Sequence, residues 1–173
     1  TLKHHNLFFD TDFEQHAEEI YDTMTFPKAP LFYANFSSKT DSSLCPEGKE
    51  IGFFLIPIAV DLEDSEEIHE HYINLILDRI KDSTGEDLRP KILFKKSFGT
   101  QDFKNRYNSC RGNAYGLANT LMQTSVLRPS IRNKKLDNFF YTGQLTVPGP
   151  GVPPALISGK VVSEYILSKG KFN

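Results

Sequence analysis

The residue pattern predicts a mixed α/β (α+β) fold, a mixed β-sheet with flanking helices. Three observations carry this. Aromatic or aliphatic runs of strand length recur at 2–9, 31–37, 52–60 and 91–98; segments between them repeat apolar residues at helical spacing; and proline, glycine or Asp/Ser punctuation separates them. With 173 residues, 39% hydrophobic and 24% charged, the chain can bury a good core as one domain.

Residues 2–9 mix polar and aromatic side chains as a short strand does, and Asp10-Thr11-Asp12 offers caps for the helix that follows. On that helix Phe13, Ala17, Ile20 and Met24 form one stripe, Glu14, Glu18 and Glu19 lie off it, and Pro27 and Pro30 end it. Residues 31–37 return to strand composition, and 37–49 form a polar loop. The almost wholly apolar run 52–60 reads as a strand buried on both faces, although Pro57 argues for a bulge or a sheet edge. Asp64-Ser65-Glu66-Glu67 opens a helix that Ile68, Tyr72, Leu75, Ile76 and Ile80 continue until Gly85 stops it. Residues 91–98 predict a further strand with Lys95 and Lys96 on opposite faces, and 101–107 a short helix. Residues 108–116 form a loop whose two glycines suit close packing or ligand approach, while 117–126 shows no decided pattern. Arg128, Arg132, Lys134 and Lys135 make the only basic cluster, read as a solvated turn, with anionic lipid headgroups as the competing reading.

Several chemistries are excluded. A formal charge of −2 without a basic face speaks against nucleic acid. The longest apolar run is interrupted by Pro57 and falls short of the ~20 residues that cross a bilayer. Cys45 and Cys110 belong to no C-x-x-C pair, which predicts two free thiols in a reducing cytoplasm. No metal site is expected: His4 and His5, as strand neighbours, point to opposite faces, and His69 and His71 stand two apart on a helix. Ser158-Gly159 lacks a nucleophile elbow and no phosphate-binding glycine-lysine loop exists. The acidic clusters Glu18-Glu19 and 61–64 read as solvated. Asn35-Phe36-Ser37 matches a glycosylation triplet with nothing else to suggest secretion. Thr1, without Met or a leader, predicts a fragment.

The most informative stretch is 138–169, which reads strand, turn, helix. Asn138-Phe139-Phe140-Tyr141-Thr142 is strand-like, Gly143 ends it where a side chain would obstruct another backbone or a ligand, and the Pro/Gly cluster 148–151 forbids regular structure. Pro153 and Pro154 suit a first helical turn, and Ile157, Val161 and Tyr165 then recur at helical spacing. A helix start beside a strand end suits a pyrophosphate or an electron-rich ring edge.

Tyr141-Thr142-Gly143, Pro148-Gly149-Pro150-Gly151-Val152-Pro153 and Leu156-Ile157-Ser158-Gly159 closely resemble the carboxyl-terminal flavin-binding signature of the bacterial-type phytoene desaturases. Gly112-Asn113-Ala114-Tyr115-Gly116-Leu117 and His4-His5-Asn6-Leu7-Phe8-Phe9 also resemble that family, in its order, so the resemblance spans essentially the whole chain. It covers only the last part of such an enzyme. The family's opening G-x-G-x-x-G is absent, and Gly149-Pro150-Gly151 has Pro154 where a third glycine would stand.

The resemblance implies an FAD-dependent carotenoid desaturase that introduces C=C bonds into a long polyene, with FAD as hydride acceptor and no catalytic base identified. It further implies that 1–107 belong to the substrate-binding domain and that 108–173 return into a Rossmann-like FAD domain. Cofactor-binding positions would be Gly143 and Gln144 beside the ribityl chain, Gly151 and Val152 at the flavin's electron-accepting edge, and Gly149. Related flavoproteins often carry an acidic residue where Gln144 stands. A cytoplasmic enzyme on a peripheral membrane surface is expected, since the substrate is a lipid. The alternatives are another polyene-acting flavoenzyme (a retinoid saturase, carotene ketolase or isomerase) and a non-catalytic apolar-ligand module using Phe32, Phe36, Phe53 and Phe54, which as isolated residues read rather as core.

Overall fold

Three short segments build the sheet of the computed structural model, which describes residues 2–117, 120–124 and 127–169. Strands β1 (His5–Phe8), β2 (Phe32–Asn35) and β3 (Phe53–Leu55) pair antiparallel in that order, with Phe8 opposite Phe32 and Ala34 opposite Phe54. Helices α1 (Phe13–Tyr21), α2 (Glu66–Thr84) and α3 (Thr100–Tyr107) belong to the same unit, and α4 (Val152–Lys169) to a second one; the chain divides after Gly112. Helices and strands therefore mix as predicted, and the sheet of the described residues is antiparallel throughout.

The first unit has a one-sided core. Phe8, Phe32, Ala34 and Phe36 from the sheet meet Ile76 and Ile80 from α2, with Phe8 stacked on Phe32 at 4.3 Å between ring centroids. The α2 boundaries follow from local chemistry: the Ser65 hydroxyl accepts the Ile68 N–H, and Gly85 takes the left-handed conformation that ends the helix. Arg79 on the same helix lies over the Phe32 ring, 4.8 Å from its centroid, and bonds to Asp10 and to the Pro30 carbonyl. Phe32 and Phe36 are thus core, Phe54 packs beside them, and Phe53 faces solvent.

Several expectations are corrected. β3 is a three-residue edge strand with Phe53 exposed, not a strand buried on both faces; Pro57, which cannot donate to a ladder, marks the sheet edge. Residues 91–98 form no strand: among the described residues no strand pairs with them, and Phe94 is 82% exposed. On α1 the buried positions are His16 and Glu19, while Phe13 and Met24 are exposed and the helix ends at Tyr21. The His16 ring accepts the Leu31 N–H at Nδ1 (2.9 Å) and donates from Nε2 to the Pro57 carbonyl (3.1 Å), so both nitrogens are satisfied in one neutral tautomer. Glu19, 8% exposed, accepts the Lys28 N–H and the Gln15 side chain.

In the second unit, 138–143 is not a strand. Phe140 forms a single antiparallel bridge with Arg132, flanked by the Asn133 N–H to Phe139 O and Tyr141 N–H to Ile131 O bonds, because this aromatic run meets one short partner rather than a sheet. Helix α4 begins at Val152, with both prolines in its first turn. Its buried positions are Ser158 and Val162, one residue on from the expected stripe, and Ile157 and Val161 are exposed. The undecided segment 117–126 contains a short 3₁₀ turn at Leu121–Gln123; residues 118, 119, 125 and 126 lie outside the described residues.

Candidate cofactor site

The five residues expected to hold a cofactor, Gly143, Gln144, Gly149, Gly151 and Val152, lie on one loop that runs into α4. Three of its glycines have φ between +100° and +137°, values that side chains rarely tolerate. Among the described residues no atom lies within 4 Å of where a Cβ on Gly143 would stand, so its backbone is approachable from that side. The obstruction expected there from another backbone is absent, and it is the positive φ that requires glycine.

The loop is held from beneath. Ser158, fully buried on α4, accepts the Gly143 N–H at 2.7 Å and donates to the Ala155 carbonyl at 2.6 Å. Thr146, 1% exposed, donates its hydroxyl to the Pro129 carbonyl at 2.7 Å. Arg128, 5% exposed, reaches the Gln144 carbonyl with Nη1 at 3.4 Å, and its guanidinium carbon lies 3.3 Å from the Cβ position of Gly149. On the other flank, a Cβ at Gly116 would meet Leu145 Cδ2 at 2.6 Å, and the Gly116 N–H bonds to Asn113 Oδ1. Gly116 thereby packs closely against the same loop.

The helix start offers fewer donors than a generic one. Pro153 and Pro154 have no N–H, and the Ala155 N–H bonds to the Gly151 carbonyl at 3.0 Å, which leaves Val152 as the remaining N–H of the first turn.

The basic cluster expected just before this loop does not exist as such. Arg128 is buried, whereas Arg132, Lys134 and Lys135 are exposed, Arg132 pairing with Asp137 at 2.7 Å and with Tyr165. Sequence spacing also missed Thr146 and Ser158; a hydroxyl beside a glycine turn is a signal, but its partner is visible only in three dimensions.

In the first unit the acidic residue Asp64 is not solvated. Its side chain is 3% exposed and accepts from Thr100 and from the Gln101 N–H, each at 3.0 Å, capping α3 from outside that helix's own sequence. His69 Nε2 lies 2.8 Å from the other carboxylate oxygen, and Ser97 Oγ lies 2.8 Å from His69 Nδ1. Burial works upward on the Asp64 carboxyl, but hydrogen bonds from His69, Gln101 N–H and Thr100 outweigh it and hold its pKa below the usual carboxylate range. This Ser-His-Asp chain lines a shallow polar recess with Glu66 and Gln101. Every member has a bond that ties the starts of α2 and α3 together, so its geometry is that of a clasp.

Among the described residues no group of three His, Cys, Asp or Glu is arranged for a metal, and no helix is long and apolar enough to cross a membrane. His4 and His5, expected on opposite faces, have ring centroids 4.0 Å apart because His4 precedes β1 and escapes strand alternation. Among the described residues neither Cys45 nor Cys110 takes part in a disulfide.

No family model matches the chain. It is 43% identical over 96% of its length to a carotenoid 3,4-desaturase of Haloarcula japonica, covering 34% of that protein. It is 32% identical over 95% of its length to a 4,4'-diapolycopen-4-al dehydrogenase of Metabacillus indicus, covering 33% of it. A zeta-carotene-forming phytoene desaturase of Myxococcus xanthus is 29% identical over 96% of the chain, again covering 33%. The chain spans about a third of the length of the curated relatives it matches, and over that span its sequence matches carotenoid desaturases.

Proposed function

We propose that the protein is part of an FAD-dependent carotenoid desaturase that introduces C=C bonds into a long polyene. The single observation that carries this is the 43% identity to a carotenoid 3,4-desaturase along nearly the whole chain. The loop described above fits the cofactor: positive-φ glycines allow close approach, and the open side of Gly143 leaves room for it. Gly143 and Gln144 would lie along the ribityl chain, and Gly149, Gly151 and the Val152 N–H at the ring edge. When bound, FAD supplies the two-electron acceptor for oxidation of a C–C single bond. The chain's own residues orient it: Ser158 fixes the Gly143 amide, and Thr146 fixes the middle of the loop. In this reading the first unit contributes to the substrate domain and the second completes the flavin domain. The polyene is drawn from a membrane surface on the cytoplasmic side.

A second reading has a specific observation behind it. The Metabacillus relative is a dehydrogenase of a terminal polyene aldehyde, so oxidation at a polyene's end shares this sequence pattern. Incubating the full-length protein, purified with its flavin, with acyclic carotenoids and separately with a carotenoid bearing a terminal aldehyde separates the two. Products with extended conjugation and no added oxygen support desaturation; a carboxylated terminus with unchanged chain unsaturation supports the second reading; and a protein without a flavin spectrum refutes both.

A further inference from the structure

We propose that Arg128 is a positioning residue that folds the 143–151 loop into its cofactor-binding shape, an inference that rests on the flavin reading of that loop. A guanidinium withdrawn from water loses hydration that only well-placed acceptors and packing restore, so a 5% exposed arginine beside a glycine loop requires a physical reason. The geometry supplies one. Arg128 Nη1 donates to the Gln144 carbonyl at 3.4 Å, near one end of the loop. Near the other end, the guanidinium carbon and Nε each lie 3.3 Å from the Cβ position of Gly149, so the planar group occupies the space a side chain there would fill. The adjacent Pro129 carbonyl takes the Thr146 hydroxyl, anchoring the middle. Two consecutive residues thus hold positions 144, 146 and 149 of one loop.

Lysine cannot reproduce this. Its ammonium is a compact point donor without the flat, delocalised face that lies against Gly149. Gly149, at φ +137°, is the complementary half: alanine there combines backbone strain with a methyl pushed against the guanidinium. Arg128 therefore acts on the cofactor through the loop and not by touching it.

The test uses the full-length protein with Arg128→Met, Arg128→Lys and Gly149→Ala, measuring flavin content and FAD dissociation constant together with hydrogen exchange of the apoprotein's loop amides. The expected result is faster exchange across 143–151 with unchanged exchange in β1 and β2, FAD affinity at least tenfold weaker in Arg128→Met, and a smaller loss with an altered flavin absorbance band in Arg128→Lys. Gly149→Ala displaces the same guanidinium without removing it, and keeps the test decisive if Arg128→Met fails to accumulate. Unchanged loop exchange and FAD affinity in the variants overturns the inference while leaving the cofactor assignment intact. A wild-type protein that takes up no FAD overturns that assignment and the cofactor half of the inference, and loop exchange then decides whether Arg128 braces the loop.

Discussion

Replacing Gly99 with alanine should unlatch α2 from α3 by a purely steric route. Its φ of −124° is ordinary, so alanine adds no backbone strain. The new Cβ, however, would stand 1.7 Å from Asp64 Oδ2 and 2.8 Å from His69 Nε2. The carboxylate must move, and it then gives up bonds to His69 at 2.8 Å and to Thr100 and the Gln101 N–H at 3.0 Å. Hydrogen bonds to a charged group are worth about 1.5–3 kcal/mol each, and a displaced carboxylate recovers part of that from water, so a net loss of about 3 kcal/mol is expected. Urea unfolding followed by circular dichroism, on wild type, Gly99→Ala, Asp64→Ala and the double variant, measures it. Removing the obstructing carboxylate should make Gly99→Ala nearly free, so the double variant should be no less stable than Asp64→Ala, a coupling of about 3 kcal/mol. The clasp as described is refuted if the two losses simply add, or if Gly99→Ala lies within about 0.5 kcal/mol of wild type.

Because the folded pKa of Asp64 lies below its unfolded value, the carboxylate stabilises the fold above about pH 4 and stops doing so as the pH falls through the folded value. Wild type should exceed Asp64→Asn in stability at neutral pH, with the gap closing in acid; a gap that persists there contradicts the assignment. Burial, then the nearby Glu19 carboxylate, push the Tyr72 phenol up to about 12, so its contribution is complete below about pH 10 and disappears as the pH rises through about 12. Phenolate absorbance should show a late-titrating tyrosine that Tyr72→Phe lacks, and superimposable titrations would disprove it. In the full-length protein Gly151→Val should lose most of its bound flavin, since φ is +110° there; normal flavin content would remove this turn from the cofactor site. Neutralising exposed Lys134 and Lys135 should weaken flotation with anionic vesicles at low salt, whereas Arg128→Met, altering a buried group, should not; equal flotation of all three proteins would place membrane contact elsewhere.

What could be read without coordinates was what local chemistry decides. Ser65 and Gly85 bracket α2, Asp12 caps α1, and the two prolines open α4, because each acts within a turn of itself. The glycine loop was legible for the same reason, since alternating Pro and Gly leave few backbone choices. What remained hidden depends on partners far along the chain. His16 is buried because the Pro57 carbonyl, 41 residues away, meets its ring. Asp64 is buried because the start of α3 supplies two donors. Residues 91–98 have strand composition, but composition states a preference and cannot provide the neighbour that satisfies it. Arg128 was grouped with its basic sequence neighbours, whereas its surroundings are set by residues sixteen and more positions on.

Most helices can exchange a terminal turn with the loop before them, and α4 is denied that freedom in one direction. Extending it backwards would drive the Pro153 ring against the Gly149 carbonyl and the Pro154 ring against that of Pro150. The helix can fray from its start but cannot annex the loop, and the register between them is locked whatever occupies 144–151. For protein engineering this makes the loop an insulated cassette: substitutions there can retune selectivity while Ser158 keeps its place in the helix, and with it the point at which the Gly143 amide is held.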